Sequence, residues 1–151
     1  MRLVTRFGNH SDSHPHVSNL SYDKNVEEIE RASERVKAIT GEGTRLYRPP
    51  YGEYNDTVIR AARTANHIAI QWNIDTLDYT GLTGEQMWNR IETKLVGGSI
   101  ILMHNGTEHT GTSLDMLITN IKEAGFEIVR VSDMLFTDNY TIDVNGVQQK
   151  N

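Results

Sequence analysis

The chain has 151 residues with 15 basic and 20 acidic side chains, a formal net charge of −5, and no cysteine. That length suits one domain burying about 68–70% of its unfolded surface, and the lack of cysteine excludes disulfides, thiolate zinc sites and a cysteine nucleophile. The acidic balance argues against nucleic acid as the main partner, no apolar run approaches the roughly 20 residues of a membrane span, and no charged-then-apolar start marks a signal peptide.

Arg2–Phe7 reads as the end of a strand with nothing before it to pair with. From Ser21 to Gly41, Val26, Ile29, Ala32, Val36 and Ile39 recur at steps of three or four, which predicts a helix. Ser21 or Asp23 is its N-cap, Gly41 its stop, and Glu27 and Arg31 pair at i, i+4 on its polar side. A shorter helix follows Asn55 through Val58 and Ile59 to about Ala65, and His67–Trp72 reads as a strand. Thr83-x-x-Gln86 forms a capping box ahead of Met87, Trp88, Ile91 and Leu95, with Gly97-Gly98 ending that helix. Ser99–Met103 is a short apolar strand. Thr112 or Ser113 caps the next helix, which carries Leu114, Leu117, Ile118 and Ile121 and stops at Gly125 before a strand over Phe126–Val131. Alternating strands and helices imply an α/β fold with a parallel sheet, either a barrel or a doubly wound sheet. A polar tail with an Asn145-Gly146 turn runs from Thr137.

Three of the six histidines fall within Asn9-His10-Ser11-Asp12-Ser13-His14-Pro15-His16. A lone histidine in a polar loop needs no function, but clustering favours metal ligation, because neutral imidazole is a common ligand. Pro15 biases His14 away from helical geometry and places the pair in a loop or turn. A catalytic zinc usually takes three protein ligands, and Asp12, held between the histidines, is poorly placed to be the third. Arg48-Pro49-Pro50-Tyr51-Gly52 is a rigid turn, either simply structural or a platform presenting the Arg48 guanidinium and the Tyr51 amide. Asp75 and Asp78 follow one expected strand and His104 another, at the edge where parallel α/β folds gather reactive groups. Either aspartate can be a turn former or can orient His104 for acid–base work. The Asn-x-Ser/Thr matches, such as Asn9-His10-Ser11, carry little weight at three residues, and Gly97-Gly98-Ser99 is too short for a phosphate loop.

Taken in order, His10-Ser-x-x-His14-Pro15, Arg48-Pro-Pro-Tyr51, Asp75-x-x-Asp78 and Leu102-Met-His104 resemble the motifs of the polysaccharide deacetylases, the NodB-homology domains of carbohydrate esterase family 4. The resemblance runs from about Gly8 to Leu135. It implies a distorted (β/α) barrel over residues 1–136, with 137–151 a tail, and metal-dependent removal of acetyl groups from N-acetylated polysaccharide of the peptidoglycan or chitin type. By the same resemblance His10 and His14 are metal ligands, for zinc or another divalent ion. Arg48 orients a catalytic aspartate, the Tyr51 amide helps hold the oxyanion, and His104 is the general acid tuned by Asp78. Leu102 lines the acetate pocket, and Tyr79 stands where the family often has Trp. Location in the bacterial cell envelope is likewise implied only by the family. The sequence contains no Thr-Phe-Asp-Asp-Gly motif, which in the family supplies the base and the third metal ligand. The expectation is therefore a barrel without its first βα unit and with little activity of its own. Two other readings stand beside this one: a non-catalytic carbohydrate-binding module using Trp72, Tyr51 and Tyr79 as stacking surfaces, and a histidine-rich metal buffer.

Overall fold

In the computed structural model, which describes residues 6–151, helix α1 (Tyr22–Thr40) begins where Ser21 turns extended and its hydroxyl accepts from the Lys24 amide. It ends where Gly41 takes a left-handed conformation (φ 80°), the position at which only glycine avoids a Cβ penalty. Ile29 and Ala32 bury the apolar stripe, whereas Ile39, last in the pattern, is exposed. The Glu27–Arg31 pair forms at 3.4 Å. Asn55 caps α2 (Asp56–Thr64), which packs on α1.

The chain divides into two compact units, one running to Gln71 and the other from Trp72 to Asn151. In the first, β1 (Leu46–Tyr47) pairs in parallel with β2 (Ile68–Ala69), and Asn9 adds a single parallel bridge to Tyr47. Its core is Val17, Ile29, Tyr47, Val58 and Ala62. The strand expected over His67–Trp72 is thus only two residues long. Its ladder runs from the Ile68 amide on Arg45 O to the Ile70 amide on Tyr47 O. There the partner strand meets Pro49 and Pro50, which have no N–H to donate.

Below this core lies a buried polar network. His67, 5% exposed, must carry its proton on Nδ1, which is 2.6 Å from the Ala65 carbonyl and can only donate there. Its Nε2 then accepts from the Thr44 hydroxyl at 2.7 Å, and Thr44 in turn takes a hydrogen bond from Asn9 Nδ2. Burial, first, and the Arg45 charge hold the His67 pKa below its ordinary value against the Ala65 hydrogen bond, so the ring stays neutral.

In the second unit, β3 (Ile74–Asp75) pairs in parallel with β4 (Ile101–Leu102). Helix α3 (Gly84–Ile91) starts with both hydrogen bonds of the Thr83–Gln86 capping box. It stops at Ile91 rather than at Gly97-Gly98, because the next turn tightens to a 3-10 turn over Glu92–Lys94. Helix α4 (Thr110–Glu123) begins two or three residues before Thr112 and Ser113, and its N-cap His109 makes no side-chain cap bond. Met87, Ile91 and Leu117 join Ile74 in the core. The strand expected over Phe126–Val131 is absent: residues 126–130 carry no regular structure and a short helix, α5 (Val131–Met134), follows. Ile128 and Val129 are 40% and 39% exposed, so apolar composition alone did not secure a ladder partner. The tail holds an antiparallel hairpin, β5 (Tyr140–Ile142) with β6 (Gln148–Lys150), turning through Gly146 at φ 80°. The strand end expected over Arg2–Phe7 falls mainly outside the described residues; Arg6 and Phe7 carry no regular structure.

Helices α3 and α4 meet at Gly84. A Cβ there would lie 2.5 Å from Ser113 Oγ and 2.7 Å from both Met116 Cε and Ser113 Cβ. Gly84→Ala should therefore destabilise the protein by about 1–3 kcal/mol, the usual cost of overpacking, although alanine is the better helix former. A lowered urea midpoint at unchanged slope checks this.

Candidate active site

The site residues expected from sequence fall in both units, His10, His14, Arg48 and Tyr51 in the first and Trp72, Asp75, Asp78, Tyr79, Leu102 and His104 in the second. Asn9 fastens the first. Its amide donates to Leu46 O at 2.7 Å, its carbonyl accepts from the Arg48 amide at 2.9 Å, and its side chain donates to Ile29 O while accepting from the Ser11 amide. His10 therefore leaves the edge of β1 in a fixed direction. Its Nδ1 lies 2.6 Å from the Arg48 carbonyl, an acceptor only, so the proton sits on Nδ1 and the lone pair on Nε2. That is the tautomer a metal-ligating histidine takes when a carbonyl holds its other nitrogen.

His14 returns to the same place. Ser11 (φ 71°) and His14 (φ 55°) both adopt left-handed backbone, a cost of roughly 1–2 kcal/mol for each non-glycine residue. The turn is held by Ser11 Oγ, which accepts from the His14 amide at 3.0 Å. The His10 and His14 rings meet edge to face with centroids 4.8 Å apart. Tyr51 touches the His14 ring edge-on at 4.7 Å and stacks on His16 at 4.2 Å and 13°. Glu53 holds His16 from the other side, with Oε1 2.7 Å from Nδ1. Tyr51 is itself strained, at φ 57° inside the 3-10 turn Pro50–Gly52, with its ring 57% exposed. Arg48 is half-buried, and burial lowers its pKa from the ordinary arginine value.

Asp12 turns away from the histidines. Its carboxylate is 6% exposed and pairs with Arg31 Nε at 3.2 Å and Arg35 Nε at 3.0 Å, both on α1. Among the described residues no group of three His, Asp or Glu side chains is arranged to hold a metal ion. His10 and His14 are thus the two imidazoles that this loop brings together, the residues that could offer nitrogen donors to a divalent ion, and among the described residues no third ligand joins them.

The second unit separates the two aspartates that the sequence left as alternatives. Asp75 is the turn former: its Oδ1 accepts from the Leu77 amide at 2.9 Å and its carbonyl from Arg90 Nε. Leu77 then turns left-handed (φ 54°) and carries Asp78 inward, where it is 1% exposed. The Asp78 carboxylate accepts four hydrogen bonds. Oδ1 takes His104 Nδ1 at 2.8 Å and the Tyr79 amide at 3.0 Å; Oδ2 takes the His104 amide at 2.6 Å and the Thr110 hydroxyl at 2.7 Å. Burial alone would raise the Asp78 pKa, but the His104 side chain and amide, Thr110 and the His104 charge outweigh it and bring the net value down.

His104 is thereby orientated through Nδ1, with its side chain 35% exposed. The Tyr79 ring stands edge-on to it at 5.1 Å. Leu102 is 6% exposed in β4, its carbonyl accepting from the Thr76 amide and hydroxyl, and Trp72 is half-buried before β3. Sequence reasoning missed Thr110, which lies before the caps expected at Thr112 or Ser113, and Glu28, which the helical pattern did not single out. For Thr110 the available signal was a hydroxyl six residues beyond His104, in reach of the same turn.

The sequence profile described as polysaccharide deacetylase matches residues 5–70. Over 134 residues, 86% of this chain and 49% of the relative, the sequence is 30% identical to a peptidoglycan-N-acetylglucosamine deacetylase of Bacillus cereus. The chain belongs to the polysaccharide deacetylase family. Its fold is that of the family. A carbohydrate esterase family 4 pseudoenzyme from Bacillus anthracis superposes with a TM-score of 0.80 at 31% identity, covering 84% of this chain and 45% of that one. A family 4 carbohydrate esterase from Streptomyces lividans, solved with acetate, gives 0.73 at 26% identity over 78% of this chain and 61% of that one. The chain spans between 18% and 51% of the length of the curated relatives it matches. No helix among the described residues is long and apolar enough to cross a membrane.

In this deacetylase-family chain the buried carboxylate makes its own prediction. Asp78→Asn replaces an acceptor of four bonds by one carbonyl and an NH₂ that faces donors, which should cost about 2–5 kcal/mol given donors left unsatisfied. The sign of the pH dependence follows from the lowered pKa. Asp78 contributes stability fully above its unfolded value, about 3.9, and that contribution is lost as pH falls through the lower folded value. Urea titrations from pH 6 to 2 should show a shallower acid decline in Asp78→Asn than in the parent.

Proposed function

We propose that this chain carries the histidine pair and the general acid for removing N-acetyl groups from an N-acetylglucosamine-type polysaccharide, but not the base. The observation that carries this reading is the Asp78–His104 hydrogen bond, 2.8 Å long and supported by three further donors to the same carboxylate. Such an arrangement fixes an imidazole so that Nε2 can hold a proton and deliver it to a leaving amine nitrogen. Tyr51, on the proline-fixed turn, offers its backbone amide to the developing oxyanion. Arg48 supplies positive charge for a catalytic carboxylate. Leu102, Trp72 and Tyr79 would contact substrate, Leu102 on the acetyl side and the aromatic rings on the sugar faces.

His10 and His14 would hold a divalent cation, zinc being well suited to imidazole donors. When bound, such an ion polarises the acetamide carbonyl and the attacking water. Asp12 and Asp75 do not replace the missing carboxylate, since Asp12 is paired with Arg31 and Arg35 and Asp75 holds its own turn. The sequence has no Thr-Phe-Asp-Asp-Gly to supply it. Relatives named as peptidoglycan deacetylases support a cell-envelope glycan as substrate and a bacterial cell-envelope location.

A second reading, a carbohydrate-binding module without turnover, is favoured by the exposed rings of Tyr51 and Tyr79, 57% and 56% exposed. Acetate release from N-acetylglucosamine oligomers at fixed zinc separates the two, comparing this chain with one extended by a family-type strand bearing Thr-Phe-Asp-Asp-Gly. The extended chain should be more than tenfold faster, that is, a barrier lower by more than about 1.4 kcal/mol. A parent rate within tenfold would refute the missing base, and oligomer binding without acetate from either chain would establish the module.

A further inference from the structure

We infer that Glu28, on α1, is the positioning residue that sets the His10–His14 spacing for a divalent cation, an inference that rests on the proposed role of that pair. All three residues between the two histidines donate to this one carboxylate. Ser11 Oγ lies 2.6 Å from Oε2, the Asp12 amide 3.0 Å and the Ser13 amide 2.9 Å from the same oxygen, and Ser13 Oγ 2.8 Å from Oε1. Two consecutive amides can converge on one oxygen only when the backbone folds back, which is what the positive φ of Ser11 and His14 achieves. Ser11 links the two ends of the device: its hydroxyl donates to Glu28 and accepts from the His14 amide.

The rest of α1 fixes the direction of pull. Arg31 and Arg35 hold the Asp12 side chain, and with Glu28 they stand at i, i+3 and i+7 along one side of the helix. The loop is therefore fastened to α1 through its middle, while Asn9 and Arg48 fasten it at His10. With His10 set by β1, the fold of residues 11–13 decides where the His14 ring arrives, and Glu28 decides that fold. Three donors meet Glu28 Oε2 and one meets Oε1, and among the described residues no metal-holding group of three brings Glu28 together with the two histidines, so it acts on the ion through the histidines and not as a ligand.

The experiment uses the whole chain with Co²⁺ as the probe, read by calorimetry and by its visible absorption, and the nuclear Overhauser contact between the His10 and His14 rings in metal-free protein. Glu28→Gln should weaken Co²⁺ binding by about 10–100-fold, the range for outer partners of metal ligands. It should also shift the absorption band and abolish the ring–ring contact, with amide shifts confined to residues near the loop. Ser13→Ala, which removes one donor to Glu28 and leaves both α1 and the Ser11–His14 bond untouched, should weaken binding by about tenfold in the same direction, and it serves if Glu28→Gln does not fold. Unchanged affinity and an intact ring–ring contact in either folded variant overturn the inference. If His14→Ala binds Co²⁺ as well as the parent, or the parent binds none, the metal reading of the pair is what fails. The ring–ring contact then still decides the role of Glu28.

Discussion

A carboxylate taken out of water must be surrounded by donors, and Asp78 imposes that constraint on the second unit. Its four bonds come from Tyr79, from both the backbone and the ring of His104, and from Thr110. They tie the turn after β3 to His104, two residues past β4, and to the first residue of α4. The left-handed turn at Leu77 is the backbone cost of delivering Asp78 to that position. The start of α4 is bound into the same network: Thr110, its first residue, donates its hydroxyl proton to Asp78 and accepts from the Thr107 hydroxyl at 2.5 Å. Two strands of two residues each suffice here because a charge-assisted polar network does the work of a longer ladder.

The first unit follows the same logic with different parts. Its histidine loop is hung from α1 by Glu28 and from β1 by Asn9, and a buried polar network accompanies its apolar core. Asn9, Thr44 and His67 form a buried chain in which every role is set by the one ring nitrogen that must donate to a carbonyl. Such networks specify a unique arrangement when every member is satisfied, and this one sits directly under the residue that launches His10.

Helices α1, α2 and α3 could be read from the sequence because periodicity and caps act within a few residues: Ser21, Asn55 and the Thr83–Gln86 box all cap as the pattern requires. The strands were overextended because a strand needs a partner, and Pro49 and Pro50 lie far from His67–Trp72 in sequence. Phe126–Val131 shows the limit of composition, since an apolar run with no ladder partner remains irregular. The chemistry-bearing residues were legible as motifs, yet it was the family resemblance that favoured Asp78 over Asp75, and the physical reason, the left-handed turn at Leu77, is visible only in the structure. Glu28 stayed hidden because a single carboxylate on a helix gives no sign of four donors folded against it, whereas Thr110 offered only its nearness to His104 in sequence.

The central claim is that Asp78 is held ionised by its donors in spite of its burial. Following the carboxyl carbon of Asp78 by ¹³C NMR as a function of pH measures this directly. The midpoint should lie below the ordinary aspartate value of about 3.9. A midpoint at or above that value would mean that burial outweighs the four hydrogen bonds, and the account of this site would be wrong.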